Sequence, residues 1–230
     1  MPAELPGYLA NIFHGAWITL AVALVSLALS LAIGVTVAPL RLSPNLLLRA
    51  PVTLYTTLFR GVPDLVLMFL LFYGGQDVAN NITDHFELDY FEINPFIAGC
   101  VTLGLIFGAY MAETFRGAIL AIPHGQIEAA QAFGLSKRRI FRRIVFPQML
   151  RNALPGLGNN WLVLLKTTAL VSIIGLSDMV FRADLAAKKT MPFFFYMVVA
   201  LIFLVFTSVS VLVLRRLKRR FNRGFAVRED

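Results

Sequence analysis

Charged residues are scarce in this sequence. Asp, Glu, Lys and Arg make up only 15% of the 230 residues, whereas 58% are hydrophobic. An average soluble domain has roughly 25% charged residues, which help to cover its surface. The apolar residues also come in long blocks, and such blocks are typical of a membrane protein. The composition therefore disfavours a water-soluble globular fold.

Residue patterns that perform chemistry are also missing. The single cysteine, Cys100, excludes an intrachain disulfide, and no Cys and His residues have the spacing of a metal site. The sequence contains no phosphate-binding P-loop, so the chain is not an ATPase. It also lacks the HExxH and GxSxG motifs of metalloproteases and serine hydrolases, which leaves no visible site for an enzyme. We expect no enzymatic activity, and no metal or cofactor bound by this chain.

Five apolar blocks are long enough to cross a membrane as helices, which takes about 20 residues each. They cover residues 12–38, 52–74, 96–122, 153–175 and 193–214. We predict an all-α membrane protein with five transmembrane helices that form one domain over residues 1–230. Within the second block, Gly61 and Pro63 predict a broken or kinked helix.

The distribution of Lys and Arg predicts how the chain is oriented. The net charge of +8 could indicate a nucleic-acid-binding protein, but most basic residues lie in short segments between the apolar blocks. The first loop, the third loop and the C-terminal tail together contain fifteen Lys and Arg, whereas the N-terminus and the other two loops contain three. Because basic segments stay in the cytoplasm, we predict a periplasmic N-terminus, a cytoplasmic C-terminus and no nucleic-acid partner.

The third loop, residues 123–147, carries a motif with a defined spacing. Glu128-Ala129-Ala130 is followed by Gly134 and then by Ile144-Val145-Phe146-Pro147. The alanine-rich stretch 126–133 favours a short helix, and Gly134 can end it because glycine tolerates a positive φ. Such a helix forms a rigid connection between two spans. The simpler alternative is a loop that lies on anionic lipid through its basic residues.

This motif resembles the EAA loop of binding-protein-dependent ABC importer permeases, with Phe146 at a position where leucine is usual. In that family the short helix docks on the ATPase subunit and couples it to the permease. The resemblance implies this coupling role for Glu128, Ala129, Ala130, Gly134 and Pro147.

The resemblance extends over nearly the whole chain. Residues 59–63, 108–117 and 154–170 are similar to elements of the polar amino acid permeases of type I ABC importers. Residues 60–68 resemble in particular the Q-type permease subunit of histidine/lysine/arginine/ornithine importers. The resemblance implies five spans, a cytoplasmic coupling helix and import of basic amino acids by alternating access. An opine or glutamine permease of the same family is one alternative, and an ATP-independent channel or secondary transporter is the alternative from another class.

The same resemblance implies the partners of the chain. In that family an ATP-binding-cassette ATPase dimer, which binds ATP and Mg²⁺, a second permease subunit and a periplasmic amino-acid-binding protein complete the importer. It implies a multi-pass subunit of the bacterial inner membrane. A homodimer is an alternative to pairing with a different permease, and some heterodimeric relatives bind substrate in only one subunit.

Polar residues inside the predicted spans are candidates for the substrate pathway. A charge in the bilayer core costs at least about 2.5 kcal/mol, so it faces the bundle interior, a partner or a pathway. The candidates are Lys166, Asp64, Asn160, Thr167 and Glu113. The amide of Asn160 could alternatively bond one helix to another.

The charged candidates also have structural alternatives. Lys166 could bind the substrate carboxylate or pair with Glu113 or Asp64. Glu113 lies three residues before Arg116, which favours an ion pair within one helix. Asp64 could attract a substrate cation, pair with Arg60 across the break, or occupy the first turn of the helix that restarts there.

Overall fold

A computed structural model describes residues 5–189 and 192–222, and within these ranges the ordered elements are all helical, which confirms the all-α prediction. Within the described residues, nine α-helices follow one another: α1 Leu5–Arg41, α2 Leu46–Gly61, α3 Asp64–His85, α4 Pro95–Leu120, α5 His124–Ala132, α6 Lys137–Ile140, α7 Phe146–Thr167, α8 Met179–Lys189 and α9 Pro192–Asn222. A π-helical turn, Phe141–Val145, joins α6 to α7, and a 3₁₀ turn, Thr168–Ser172, follows α7.

Among the described residues, three helices are each long and apolar enough to cross a membrane: α1, α4 and α9. The pair of α2 and α3 passes the same test only if the two helices count as one span. The predicted fourth span falls in α7 and the 3₁₀ turn. Polar residues such as Asn159, Asn160 and Lys166 interrupt its apolar sequence, so length and composition alone do not identify α7 as a span.

The second predicted span is divided. The axes of α2 and α3 differ by 113°, with the break at Val62 and Pro63. The proline ring disfavours a helical conformation of the preceding residue, and Val62 is extended, with φ −98° and ψ 139°. The helix after the break also runs beyond the predicted end at Gly74, because Gly74 and Gly75 remain helical and α3 ends only at His85.

The helix α4 lies at the centre of the bundle. Its most apolar 18-residue window is 67% buried, against 17% for α9, so α4 packs against protein while α9 presents most of its surface outward. Glycines allow the close approach of α1 to α4. A Cβ atom at Gly34 would lie 2.6 Å from Cβ of Met111, and one at Gly108 would lie 2.7 Å from Cγ2 of Ile33. Small residues are typical of such contacts between membrane helices.

The π-helical turn connects the third loop to α7. The backbone N–H of Phe146 donates to the carbonyl of Phe141, five residues earlier. A π-helical turn therefore holds one residue more than an α-helical turn. The turn is anchored on its inner side, because Ile140 and Val145 are buried with Met149 and Ala130 in one apolar cluster.

Candidate functional site

The predicted coupling helix is α5, and Gly134 ends it as the sequence predicts. Gly134 has a φ of +74°, in the left-handed region that glycine adopts without a Cβ clash. Its N–H donates to the carbonyl of Gln131 over 2.9 Å, and the N–H of Leu135 donates to that of Ala130 over 3.1 Å. These two bonds form a Schellman motif, which satisfies carbonyl groups that a helix end leaves unpaired. The end of α5 is therefore fixed in direction.

One side of α5 is anchored and the other is free. Ala130 is buried against the body of the bundle, whereas Glu128 and Ala129 are exposed. A groove of about 700 Å³ runs beside α5, and Ala129, Ala130 and Pro147 line it. Four of the five residues with a predicted coupling role thus lie on α5 or its end, and Pro147 joins them from the first turn of α7.

Phe133 is an exposed residue of this region that the sequence interpretation missed. It is the residue after α5, lines the same groove, and is 89% exposed. Together with the groove beside it, this exposed aromatic side chain forms a surface that a partner subunit could cover. The signal in the sequence was a phenylalanine directly before Gly134, at the end of the small and polar stretch 128–132.

Glu113 is surrounded by three guanidinium groups. Arg41 at the end of α1 lies 2.7 Å from Oε1 of Glu113, and Arg60 at the end of α2 lies 3.7 Å from Oε2. Arg116, three residues further along α4, donates to Oε2 from both Nε and Nη2, over 3.1 and 2.9 Å. The ion pair between Glu113 and Arg116 that the spacing favours is therefore present. Arg41 also donates to the buried hydroxyl of Thr56.

Two pairings considered from the sequence are wrong. Arg60 does not pair with Asp64. It lies over the ring of Tyr110, 5.6 Å from the ring centre, and reaches Glu113 instead, because the 113° bend directs α3 away from the end of α2. Lys166 pairs with neither Glu113 nor Asp64, since no carboxylate of the described residues lies within 4.0 Å of its amine.

Asn160 connects two helices. Its Nδ2 donates to Oγ1 of Thr114 over 3.0 Å and lies 3.7 Å from Sδ of Met111. Thr114 follows Glu113 along α4, so Asn160 and the arginine cluster contact α4 at the same level. Because adjacent residues of a helix project about 100° apart, the two candidates Glu113 and Asn160 share this level but bind different partners.

The other pathway candidates lie apart from this pair. Lys166 is exposed in the last turn of α7, about 9 Å along the helix axis from Asn160 at 1.5 Å per residue. The hydroxyl of Thr167 bonds to its own helix, at the carbonyl of Val163 over 3.0 Å. Asp64 occupies the first turn of α3, where a carboxylate stabilises the positive end of the helix dipole. The structure therefore does not gather all five candidates around one point.

Asp178 is a buried carboxylate that the sequence interpretation missed. It lies between the 3₁₀ turn and α8, beyond the fourth predicted span. Its Oδ1 accepts from the N–H of Phe181 over 2.9 Å, and its Oδ2 accepts from the hydroxyl of Thr19 over 3.4 Å. Burial raises the pKa of Asp178 to about 6, although these hydrogen bonds oppose the shift. This carboxylate begins α8 and holds it against α1.

Within residues 5–189 and 192–222, no three His, Cys, Asp or Glu side chains cluster as ligands for a metal ion. The charged groups of the site are instead three guanidinium groups around one carboxylate.

Comparison with known proteins identifies what this chain resembles. Residues 30–223 match the family model described as "Binding-protein-dependent transport system inner membrane component". The histidine/lysine/arginine/ornithine transport system permease protein HisQ of Salmonella typhimurium is 52% identical over 221 residues, which are 96% of this chain and 97% of the relative. The arginine ABC transporter permease protein ArtQ of Haemophilus influenzae is 42% identical over 217 residues, which are 94% of this chain and 96% of the relative.

A solved structure supports the same fold. A crystal structure of an amino acid ABC transporter with histidines superposes with a TM-score of 0.80 at 29% identity, over 95% of this chain and 97% of that one.

Proposed function

The chain belongs to the family of binding-protein-dependent transport system inner membrane components, as a permease subunit of an amino-acid ABC importer, and we propose that it imports basic amino acids. The observation that carries this proposal is the 52% identity, over 96% of the chain, to a permease of a histidine/lysine/arginine/ornithine system. Histidine, arginine, lysine and ornithine are the proposed substrates. The chain is not an enzyme, and the ATPase is a separate subunit.

The proposed coupling contact is α5 with the residue that follows it. Glu128 and Ala129 are exposed, and Phe133 projects beside the groove that Pro147 also lines. The left-handed Gly134, directly after Phe133, fixes the direction in which the chain leaves α5. In the proposed assembly this surface rests on an ATP-binding-cassette subunit that holds ATP and Mg²⁺. Closure of the ATPase dimer then moves α5 as a rigid unit.

The proposed pathway runs along α3, α4 and α7. Asp64 supplies a negative charge for the side-chain cation of the substrate, and Lys166 with Thr167 supplies groups for its carboxylate. Glu113 and Asn160 belong to the same pathway at the coupling-loop end, where Glu113 holds the arginines together. A basic amino acid carries both positive and negative groups. Residues of opposite charge at separate positions along the pathway therefore give each of these groups a counter-charge.

The proposed orientation places the coupling loop and the C-terminus in the cytoplasm and the N-terminus in the periplasm. The excess of Lys and Arg in the corresponding segments supports it. The chain forms one transmembrane domain that pairs with a second permease subunit, and a periplasmic binding protein delivers the amino acid. A homodimer and an opine or glutamine substrate are the alternatives.

The test is uptake of labelled arginine, histidine and glutamine by proteoliposomes that contain this chain, its permease partner, the ATPase and the binding protein. Arginine or histidine uptake that requires ATP is the expected result. Uptake of glutamine alone would contradict the proposed substrate, and uptake without ATP would contradict the importer itself. Gel filtration and mass determination of the purified assembly distinguish a heterodimer from a homodimer.

Asp64→Asn tests the pathway in the same vesicles. We expect the variant to lose arginine uptake at least about tenfold, since a counter-charge to a desolvated cation contributes on the order of 1.5–3 kcal/mol. Asp77→Asn is the matched control, because Asp77 is exposed on the same helix. Equal arginine uptake by the two variants would show that Asp64 only stabilises the start of α3 through the helix dipole.

A further inference from the structure

A second groove lies between α7 and α9, and none of the roles described above uses it. Its volume is about 300 Å³, and its walls are mainly apolar, with Leu154 and Leu162 on α7 facing Val211 and Leu214 on α9. The two helices approach closely at its base, where a Cβ atom at Gly158 would lie 3.2 Å from Cδ1 of Leu214. The groove is therefore narrow at its base.

Two cations lie at one end of this groove. Arg215 and Lys218 line it from α9 and are three residues apart, so they project from the same face. Both are exposed, and neither has a carboxylate within 4.0 Å among the residues that the structure describes. They follow directly on the apolar part of α9 and form the positive rim of the groove. The apolar wall and this rim lie within about two helical turns of each other.

We infer that this groove binds an anionic phospholipid. The acyl chain lies along the apolar wall, and the phosphate accepts hydrogen bonds from Arg215 and Lys218. Basic side chains at the end of a membrane helix lie at the depth of the headgroups, and guanidinium–phosphate bonds are strong because both groups are charged. Basic pockets between transmembrane helices are known to suit anionic headgroups. A zwitterionic lipid binds less well because its own cation is repelled by the rim.

A third groove in the chain differs in its charge. This groove, of about 590 Å³, lies between α1 and α9 and is lined only by apolar residues, among them Phe13, Trp17 and Val205. That groove has no cation, so any acyl chain can occupy it. A helix of a partner subunit is the alternative occupant of the α7–α9 groove, and the cross-linking experiment below tests for it.

Native mass spectrometry of the complete importer tests the inference. The complex is reconstituted in nanodiscs that contain phosphatidylglycerol or phosphatidylcholine. After its release from the nanodiscs, the amount of lipid that stays bound is measured. The double variant R215Q/K218Q should bind phosphatidylglycerol roughly thirtyfold more weakly, since each cation near an anionic headgroup contributes about a factor of five. The matched control is R219Q/R220Q, which removes the same charge from two residues that do not line the groove.

Additional variants and conditions distinguish the possible occupants of the groove. Leu162→Trp fills the apolar part and should also release the lipid, while inorganic phosphate in the buffer should not displace it. Equal retention by R215Q/K218Q and R219Q/R220Q would overturn the inference, as would equal retention of phosphatidylcholine and phosphatidylglycerol. Efficient cross-linking of Val211→Cys to the partner permease would overturn it as well, because a protein helix would then fill the groove. These readouts do not depend on which amino acid is transported.

Discussion

The guanidinium group of Arg41 and the carboxylate of Glu113 form an ion pair in which Nη1 lies 2.7 Å from Oε1. The pair joins the end of α1 to α4, and Arg60 joins the end of α2 to the same carboxylate. Glu113 is only 15% exposed. One partly buried negative charge therefore holds three cations, and the cluster depends on it.

Glu113→Gln should destabilise the protein strongly. Glutamine keeps the size of the side chain but leaves three arginines without a counter-charge. The loss should be on the order of 1–3 kcal/mol, below the value for a fully buried pair, because the arginines are 21–42% exposed. Thermal unfolding of the purified complex measures the effect. Asp184→Asn is the control, because its pair with Lys188 is exposed to solvent, and such pairs contribute little to stability. Similar shifts for both variants would show that the cluster is not stabilising.

Gly134→Ala should impair coupling while the protein still inserts in the membrane. Alanine at a φ of +74° costs about 1–2 kcal/mol, and relaxing that strain redirects the chain after α5. We expect ATP hydrolysis to continue while arginine uptake falls severalfold. Gly125→Ala, at a helical position of α5 with open space around it, should leave the ratio of uptake to hydrolysis unchanged. An unchanged ratio in Gly134→Ala would count against the role of α5.

Asn160 and Thr114 should be energetically coupled. The amide donates to the hydroxyl across the α4–α7 contact, and such bonds between membrane helices contribute about 0.6 kcal/mol and at most about 1.7. A double-mutant cycle of Asn160→Leu and Thr114→Val, followed by thermal unfolding, should give a coupling energy in this range. The control cycle replaces Thr114→Val by Thr167→Val, whose hydroxyl bonds within its own helix. Equal coupling energies in the two cycles would show that the hydrogen bond between Asn160 and Thr114 does not stabilise the contact.

Asp178 should make stability depend on pH. Its pKa is raised to about 6 in the folded protein, so the folded state keeps a proton that the unfolded chain releases at lower pH. The contribution of Asp178 to the free energy of unfolding is fully present in acid and decreases as pH rises from about 4 through 6. Asp178→Asn retains an oxygen for the N–H of Phe181 and should remove this decrease. Parallel pH profiles of the unfolding midpoint in wild type and variant would contradict the prediction.

Local sequence chemistry predicted the parts of the structure that depend on neighbouring residues. The helix break at Val62 and Pro63, the end of α5 at Gly134 and the pair of Glu113 with Arg116 all follow from a few adjacent positions. Each depends on backbone conformation or helical spacing alone. The family assignment followed from similar local motifs.

Contacts between distant helices were not predictable in this way. The approach of Arg41 and Arg60 to Glu113 depends on how α1, α2 and α4 pack and on the size of the bend, which one sequence does not specify. The hydrogen bond of Asn160 could be recognised only as one of two possibilities. Asp178 gave no signal, because an acidic residue in a connecting segment is usually solvated, and its burial results from the packing of α8 on α1.

The π-helical turn at Phe141–Val145 has a mechanical consequence. It lies between α5, which faces outward, and α7, which carries Asn160 and Lys166. A π-helical turn holds a surplus residue, and each residue of an α-helix advances the side-chain direction by about 100°. The surplus residue therefore offsets the side-chain directions of the helix that follows by about that angle. The face that α7 turns toward the bundle, with Asn160 and Lys166 on it, is thus set by a turn next to the third loop rather than by α7 alone.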